Sequence, residues 1–201
     1  MKLSQTFFQD DDVVAIARNL LGCRLWTCIS GHITAGEIVE TEAYDGLTDR
    51  ASHAFGGKRT PRTEIFYHSG GVSYTYLCYG IHTLFNIITG PAGVPHAVLI
   101  RAIAPCEGID VMLKRRNHSK LKRNTAGGPG LVSLALGITR EHNGIAVGGE
   151  IIWVTRDRSS KTLPDDRIHA SPRVGVDYAD RDAALPWRFR IASSPWTSPA
   201  K

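Results

Sequence analysis

A chain of 201 residues, 42% hydrophobic and 21% charged, is long enough to bury one sizeable core and short for two, and its composition is ordinary for a globular protein. No apolar run approaches a membrane span, and Met1-Lys2-Leu3-Ser4-Gln5 lacks the apolar stretch of a signal peptide, so a soluble intracellular protein with no membrane partner is expected. The formal net charge of +5 admits an acidic polymer as partner without requiring one.

Asp10-Asp11-Asp12 supplies capping acids to the apolar-periodic stretch Val13, Val14, Ile16, Ala17, Leu20, Leu21, which stops at Gly22; this predicts an amphipathic helix. Cys23 to Cys28 reads as a strand, a turn follows around Ser30-Gly31-His32, and Thr34 to Tyr44 completes a hairpin. A second hairpin pairs Val72–Cys78 with Thr83–Thr89, with Tyr79-Gly80 at its tip. The near-continuous apolar run Ala97 to Ile103 reads as a central buried strand. Helices are predicted over Glu107–Arg116 and Pro129–Leu136, the latter with proline in its first turn. Strands are expected at Glu150–Arg156 and Trp187–Ile191, with a polar loop between, over Ser159–Asp166. With no repeat or linker, the whole chain, 1–201, reads as one compact α+β domain. Helices pack on a mixed, largely antiparallel sheet, because hairpin-length connections dominate.

Cys23, Cys28, Cys78 and Cys106 form no CxxC pair and no zinc spacing, so reduced cysteines in or near the core are expected, with no metal. Glu40, Glu42 and Tyr44 share one face of their strand, while Val39, Thr41 and Ala43 share the other and meet the core. On strand grounds alone a solvated surface acid is the commoner role for either glutamate. What raises Glu42 is Tyr44 beside it and the basic, glycine-containing loop that follows, which carries His53: an acid among rings suits chemistry on a flat heterocycle. Tyr74 and Tyr76 share a face, for which half-buried packing is the bland reading. Tyr79 before Gly80 at a hairpin tip is harder to explain by packing, and an exposed ring there suits a wedge between base pairs. The run Lys114 to Arg123 carries six Lys and Arg and no acid, fitting a solvated helix end as well as a phosphate-tracking surface. Gly127-Gly128-Pro129-Gly130 lacks the GxxxxGK[ST] arrangement of nucleotide-triphosphate loops, and the zinc-deaminase HxE…PCxxC pattern is absent.

At these residues the chain resembles the alkyladenine, or 3-methyladenine, DNA glycosylases of the mammalian type. The matching segments are Val39-Glu-Thr-Glu-Ala-Tyr44, His53, Gly56-Gly-Lys-Arg-Thr-Pro-Arg62, Tyr74-Thr-Tyr-Leu-Cys-Tyr-Gly80 and Asn86. They continue with Leu99-Ile-Arg101-Ala, Glu107-Gly108, Arg173-Val-Gly-Val176 and Ser194-Pro-Trp196, and so cover nearly the whole chain. The resemblance implies a curved sheet with a protruding DNA-inserting β-hairpin. It implies a monomeric base-excision-repair enzyme that needs no cofactor. Its partner would be double-stranded DNA containing damaged purines, such as 3-methyladenine, 7-methylguanine, hypoxanthine and ethenoadenine. The N-glycosidic bond would be hydrolysed after base flipping, leaving an abasic site. Position by position, Glu42 matches the base that activates water, and Arg101 matches the arginine that helps hold the water and the flipped nucleotide. Tyr44, His53 and Tyr76 match the residues that sandwich the base, Tyr79 the intercalating tip, and Asn86 the asparagine that disfavours the 2-amino group of guanine. The chain departs from the mammalian pattern in opening without a long N-terminal extension, in His82 where another aromatic is usual, and in Ile81 for methionine.

Two other classes compete. A non-catalytic nucleic-acid-binding module on the same scaffold explains the basic run and the tip ring but leaves Glu42, His53 and Arg101 unexplained. A metal-dependent nuclease would want clustered carboxylates, and Asp10-Asp11-Asp12 is better used as a helix start.

Overall fold

Asp12 opens the first helix as its position predicts: its carboxylate accepts from the Ala15 backbone N–H at 2.8 Å, and α1 runs over Val13–Asn19. The computed structural model describes residues 1–157 and 162–198, so the polar loop expected over 159–166 lies partly outside the described residues. After α1 the chain enters strand β1 (Arg24–Ile29). A tight turn with positive φ at both Ser30 and Gly31 returns it along β2 (His32–Tyr44). The second hairpin is β3 (Val72–Cys78) with β4 (His82–Thr89), and β5 (His96–Glu107) lies between β4 and β2. Strands β6 (Ile152–Thr155), β7 (Ile168–Ser171) and β8 (Arg188–Ile191) follow. The order is β3-β4-β5-β2-β1-β6, with β8 added to β2 and β7 to β8, and every pairing between these strands is antiparallel. This is the expected α+β class, with an open sheet.

Alternation along the strands decides which side chains meet the helices and which do not. On one face Val39, Ala43, Phe85, Ile87, Val98 and Ile100 join residues of α1, α2 (Ile109–Arg115) and α3 (Pro129–Leu136) in the main core. Thr41, on that same face, donates its hydroxyl to the Ala17 carbonyl of α1 at 2.8 Å. The opposite face of β3, β4, β5 and β2 carries Tyr74, Tyr76, Asn86, Leu99 and Tyr44. There the β2–β3 connection, residues 45–71, folds over the sheet and packs Ala54 and Phe66 against Tyr74, Ile88 and Ala97. Gly46 starts that connection: its N–H donates to His96 Nδ1 at 3.1 Å, and a Cβ there would lie 1.8 Å from the Pro95 carbonyl oxygen. Only glycine allows the two backbones to approach so closely.

Helix α3 has the predicted limits, Pro129–Leu136. The helix predicted from Glu107 begins later, because β5 continues to Glu107, which pairs with Ala35, and Gly108 at φ 62° makes the corner before α2. Strand β7 has no counterpart in the sequence reading: four residues form it only because β8 offers an edge. The cysteines are free, and Cys23 is buried, but Cys106 is exposed rather than near-core. Among the described residues no helix is long and apolar enough to cross a membrane.

Candidate active site

Between the second face of the sheet and the 45–71 connection lies a cavity of about 260 Å³. It is small beside the roughly 300–1,000 Å³ of drug-sized sites, a scale suited to one flat heterocycle. Tyr44, His53, Tyr76, Tyr79, Asn86 and Arg101 all line it, so six of the seven residues singled out in the sequence converge on one place. Val174, Gly175, Val176 and Tyr178 close it from the far end of the chain.

Glu42, the seventh, lies behind the wall. It is fully buried, not a solvated surface acid, and three groups of the cavity wall hold it. The Tyr44 hydroxyl donates to Oε2 at 2.7 Å, the Val174 backbone N–H donates to Oε1 at 2.9 Å, and the Arg101 guanidinium pairs with Oε2 at 3.2 Å. Arg101 reaches this position through an irregularity in the ladder. Pairing steps from Ile38–Ile103 to Glu40–Ala102 to Thr41–Ile100, leaving Val39 and Arg101 with no residue opposite. Such bulges re-aim side chains, and they recur beside active sites. Glu40, also read as a surface acid, is fully buried among Arg101, Arg188 and Ser198. Burial works to raise the Glu40 carboxyl, but Arg101, Ser198 and Arg188 outweigh it and hold it below the ordinary carboxylate value. Burial likewise disfavours charge on Arg101, and Glu42 and Glu40 overcome it, keeping the guanidinium charged.

The rings form a cluster. Tyr74 and Tyr76 stack with centroids 5.4 Å apart, and His53 meets Tyr76 edge-on at 4.7 Å. The Tyr74 hydroxyl joins His53 Nδ1 at 2.9 Å and accepts from Arg62 Nε at 3.1 Å, while the Arg62 guanidinium lies 5.1 Å from the Tyr76 centroid. Burial, then Arg62, push His53 down to about 4 from the ordinary 6.5, so the imidazole is neutral at neutral pH. Burial, reinforced by Glu42, raises the Tyr44 phenol, and burial raises Tyr76, so both stay protonated. The Asn86 side-chain amide donates to the Tyr74 carbonyl at 3.2 Å, which fixes its orientation in the wall.

At the mouth, the β3–β4 tip projects Tyr79 (86% exposed) and Ile81 (75% exposed). Tyr79 holds φ 50°, a left-handed backbone that costs a side-chain-bearing residue roughly 1 kcal/mol or more, and Gly80 follows at φ 71°. Tyr178 stands across the mouth, its hydroxyl donating to the Ala51 carbonyl at 3.1 Å. The basic run is not a uniform charged surface. Arg115 turns inward to the Ala135 and Ile29 carbonyls, and Arg116 donates to the Asn124 carbonyl.

Sequence reasoning missed three contributors. A backbone N–H such as that of Val174 carries no sequence signature. Arg62 and Arg173 sit in quoted motifs, but nothing in the motif says what they touch. Arg173 forms a fully buried ion pair with Asp49 and lies 4.7 Å from the Tyr44 centroid. Among the described residues no cluster of His, Cys, Asp and Glu is arranged to hold a metal ion.

The family model for methylpurine-DNA glycosylase (MPG) matches residues 6–195. A Chlamydia felis protein is 45% identical over 190 residues, 94% of this chain and 95% of its own length. A Chlamydia abortus protein is 44% identical over 190 residues, covering 94% and 97%, and a Bacillus cereus protein is 38% identical over 197 residues, covering 95% and 96%. All three are named for an expected 3-methyladenine DNA glycosylase activity.

Proposed function

The chain belongs to the methylpurine-DNA glycosylase family and is a DNA glycosylase, and from that premise we propose that it excises alkylated and deaminated purines from duplex DNA by base flipping. The observation that carries the reading is Arg101, which lines a base-sized cavity with Tyr44, His53 and Tyr76 and pairs with Glu42 directly behind that wall. The flipped purine enters between the rings, and Glu42 acts as the base that aims a water at the sugar C1′. Its three partners set the carboxylate's direction. A purine methylated at a ring nitrogen, as in 3-methyladenine or 7-methylguanine, is cationic and departs readily, so for these modest activation of water suffices, whereas neutral hypoxanthine and ethenoadenine lean more on Glu42. Each ring facing that cation contributes about 0.5–2 kcal/mol, which an undamaged base does not receive. A neutral His53 adds to this grip without repelling the cation. Asn86, tied to the Tyr74 carbonyl, stands where the bulk of a guanine 2-amino group would meet it.

The test is a single-turnover panel in one duplex context, comparing 3-methyladenine, 7-methylguanine, hypoxanthine and ethenoadenine with undamaged purines, with abasic sites read as alkali-labile breaks. Release of none of the damaged bases would overturn the proposal.

Tyr79 at the tip fills the gap that the flipped base leaves. Flipping costs a few kcal/mol, and a wedge offsets part of it. Tyr79→Gly should therefore do two opposite things. Relief of the left-handed backbone should raise unfolding stability by about 1 kcal/mol, while affinity for a lesion duplex falls about tenfold. A variant that is stabilised yet binds lesion DNA normally would make the ring purely structural.

The His53 shift makes a separate prediction. Its folded pKa of about 4 lies below the unfolded value of 6.5, so between those pH values the unfolded chain binds the extra proton. Its stability contribution is complete above pH 6.5 and is lost as pH falls toward 4, up to roughly 3 kcal/mol. Urea titrations of wild type and His53→Gln from pH 7 to 4 isolate this from His96, whose burial shifts it the same way. Equal slopes in the two proteins would refute it.

A further inference from the structure

Glu40 does not line the cavity, yet it is bonded to Arg101, which does, and Ser198 bonds both of them. Its Oε1 accepts from Arg101 Nε at 3.0 Å, Arg188 Nε at 2.7 Å and the Ser198 hydroxyl at 2.7 Å, and its Oε2 accepts from the Ser198 backbone N–H. Ser198 also offers its hydroxyl oxygen to Arg101 at 3.4 Å and its carbonyl to Arg188 at 3.3 Å. Glu40 is fully buried and Ser198 nearly so. We propose that Glu40 and Ser198 are positioning residues for Arg101: together they fix two nitrogens of its guanidinium, so that the third meets Glu42.

The planar fork of arginine makes this possible. Nε and one terminal nitrogen, placed on Glu40 and Ser198, determine where the other terminal nitrogen must lie, and it lies 3.2 Å from Glu42 Oε2. Untethered, the long side chain would swing freely toward the remaining carboxylate and crowd the oxygen that must direct water. Arg188, which also bonds Glu40, supplies a second positive charge, so Arg101 does not have to satisfy Glu40 alone. Stability by itself is a poor reason for such a cluster, because the desolvation of buried ion pairs largely offsets their attraction. Misplacement by about 1 Å at a reacting centre can lower a rate about a hundredfold, which is the scale on which this support acts.

This inference rests on the roles proposed for Glu42 and Arg101, and the experiment separates the two. Ser198→Ala removes the hydroxyl and leaves the backbone N–H on Glu40. Its single-turnover excision should fall about tenfold with lesion-duplex affinity unchanged within about threefold, and Ser198→Thr should restore the rate. Glu40→Gln should lower excision about a hundredfold. Should that buried variant fail to fold, the Ser198 pair decides alone. Glu42→Gln is run beside them. If it loses base release while Ser198→Ala excises at the wild-type rate, the positioning role falls and the reading of the site stands. A slow Ser198→Ala that also binds lesion DNA in proportionally weaker fashion, and that threonine does not rescue, overturns the positioning role too. If Glu42→Gln remains fully active, the reading of the site falls and takes this inference with it.

Discussion

Glu42→Gln should bind a lesion-bearing duplex within a few-fold of wild type and excise its base about 10²- to 10⁴-fold more slowly, the range spanned by a general base. The substitution keeps the shape of the side chain. An amide oxygen can still accept from the Val174 N–H, so the loop that carries Val174, Gly175 and Val176 should stay against the cavity. The rings and the tip to which the proposal assigns the grip on the purine are untouched, hence the preserved binding. What is lost is the carboxylate that pairs with Arg101 and to which the proposal assigns the proton from water. Equilibrium binding to an ethenoadenine duplex, with single-turnover excision on the same duplex, measures both halves. Excision at the wild-type rate would remove Glu42 from the chemistry. Binding and rate lost together would instead make it a structural acid.

How far these conclusions were legible in the sequence depends on the range of the interactions involved. Turn and cap chemistry is local, so α1 after Asp12, the reversal at Ser30-Gly31, the tip at Tyr79-Gly80 and α3 from Pro129 all fall where the residues place them. Strand parity is local too, and it put Glu42 and Tyr44 on the face opposite Val39 and Ala43. Parity does not say what covers a face. Glu40 and Glu42 read as solvated because nothing in their strand announces that residues 45–71, the Val174 segment and Ser198 will close over them. The bulge that leaves Val39 and Arg101 unmatched arises between two strands some sixty residues apart, beyond any window of periodicity. In the same way, the six cations of Lys114–Arg123 look equivalent in a row, and only the fold turns Arg115 onto the Ala135 carbonyl of α3 and the Ile29 carbonyl of β1. Family resemblance, not pattern, brought Arg101 and Asn86 into the site before the fold did.

The Asp49–Arg173 pair yields the largest expected change in stability. Both side chains are fully buried. Arg173 donates to both carboxylate oxygens of Asp49, to the Ala43 carbonyl at 2.8 Å and to the Asp182 carbonyl at 3.2 Å. Its guanidinium also lies against the rings of Tyr44 and Trp187. Asp49→Ala would strand a cation that cannot release its proton, and breaking a buried pair from one side costs about 3–5 kcal/mol. For a chain of this size that corresponds to a fall in melting temperature of roughly 10 °C. Replacing both partners by apolar residues of similar volume, as in Asp49→Leu with Arg173→Met, should recover much of the loss, because no charge is left buried. Base excision should not recover with it. Arg173 immediately precedes Val174, whose N–H orients Glu42, and it braces the Tyr44 ring that forms one wall of the cavity. The double variant should thus be a folded protein with a loosened floor, holding lesion DNA weakly and turning it over slowly. An Asp49→Ala protein within about 1 kcal/mol of wild type would mean that the cation finds another partner. A double variant with full activity would mean that the pair holds the chain and has no part in aiming Glu42.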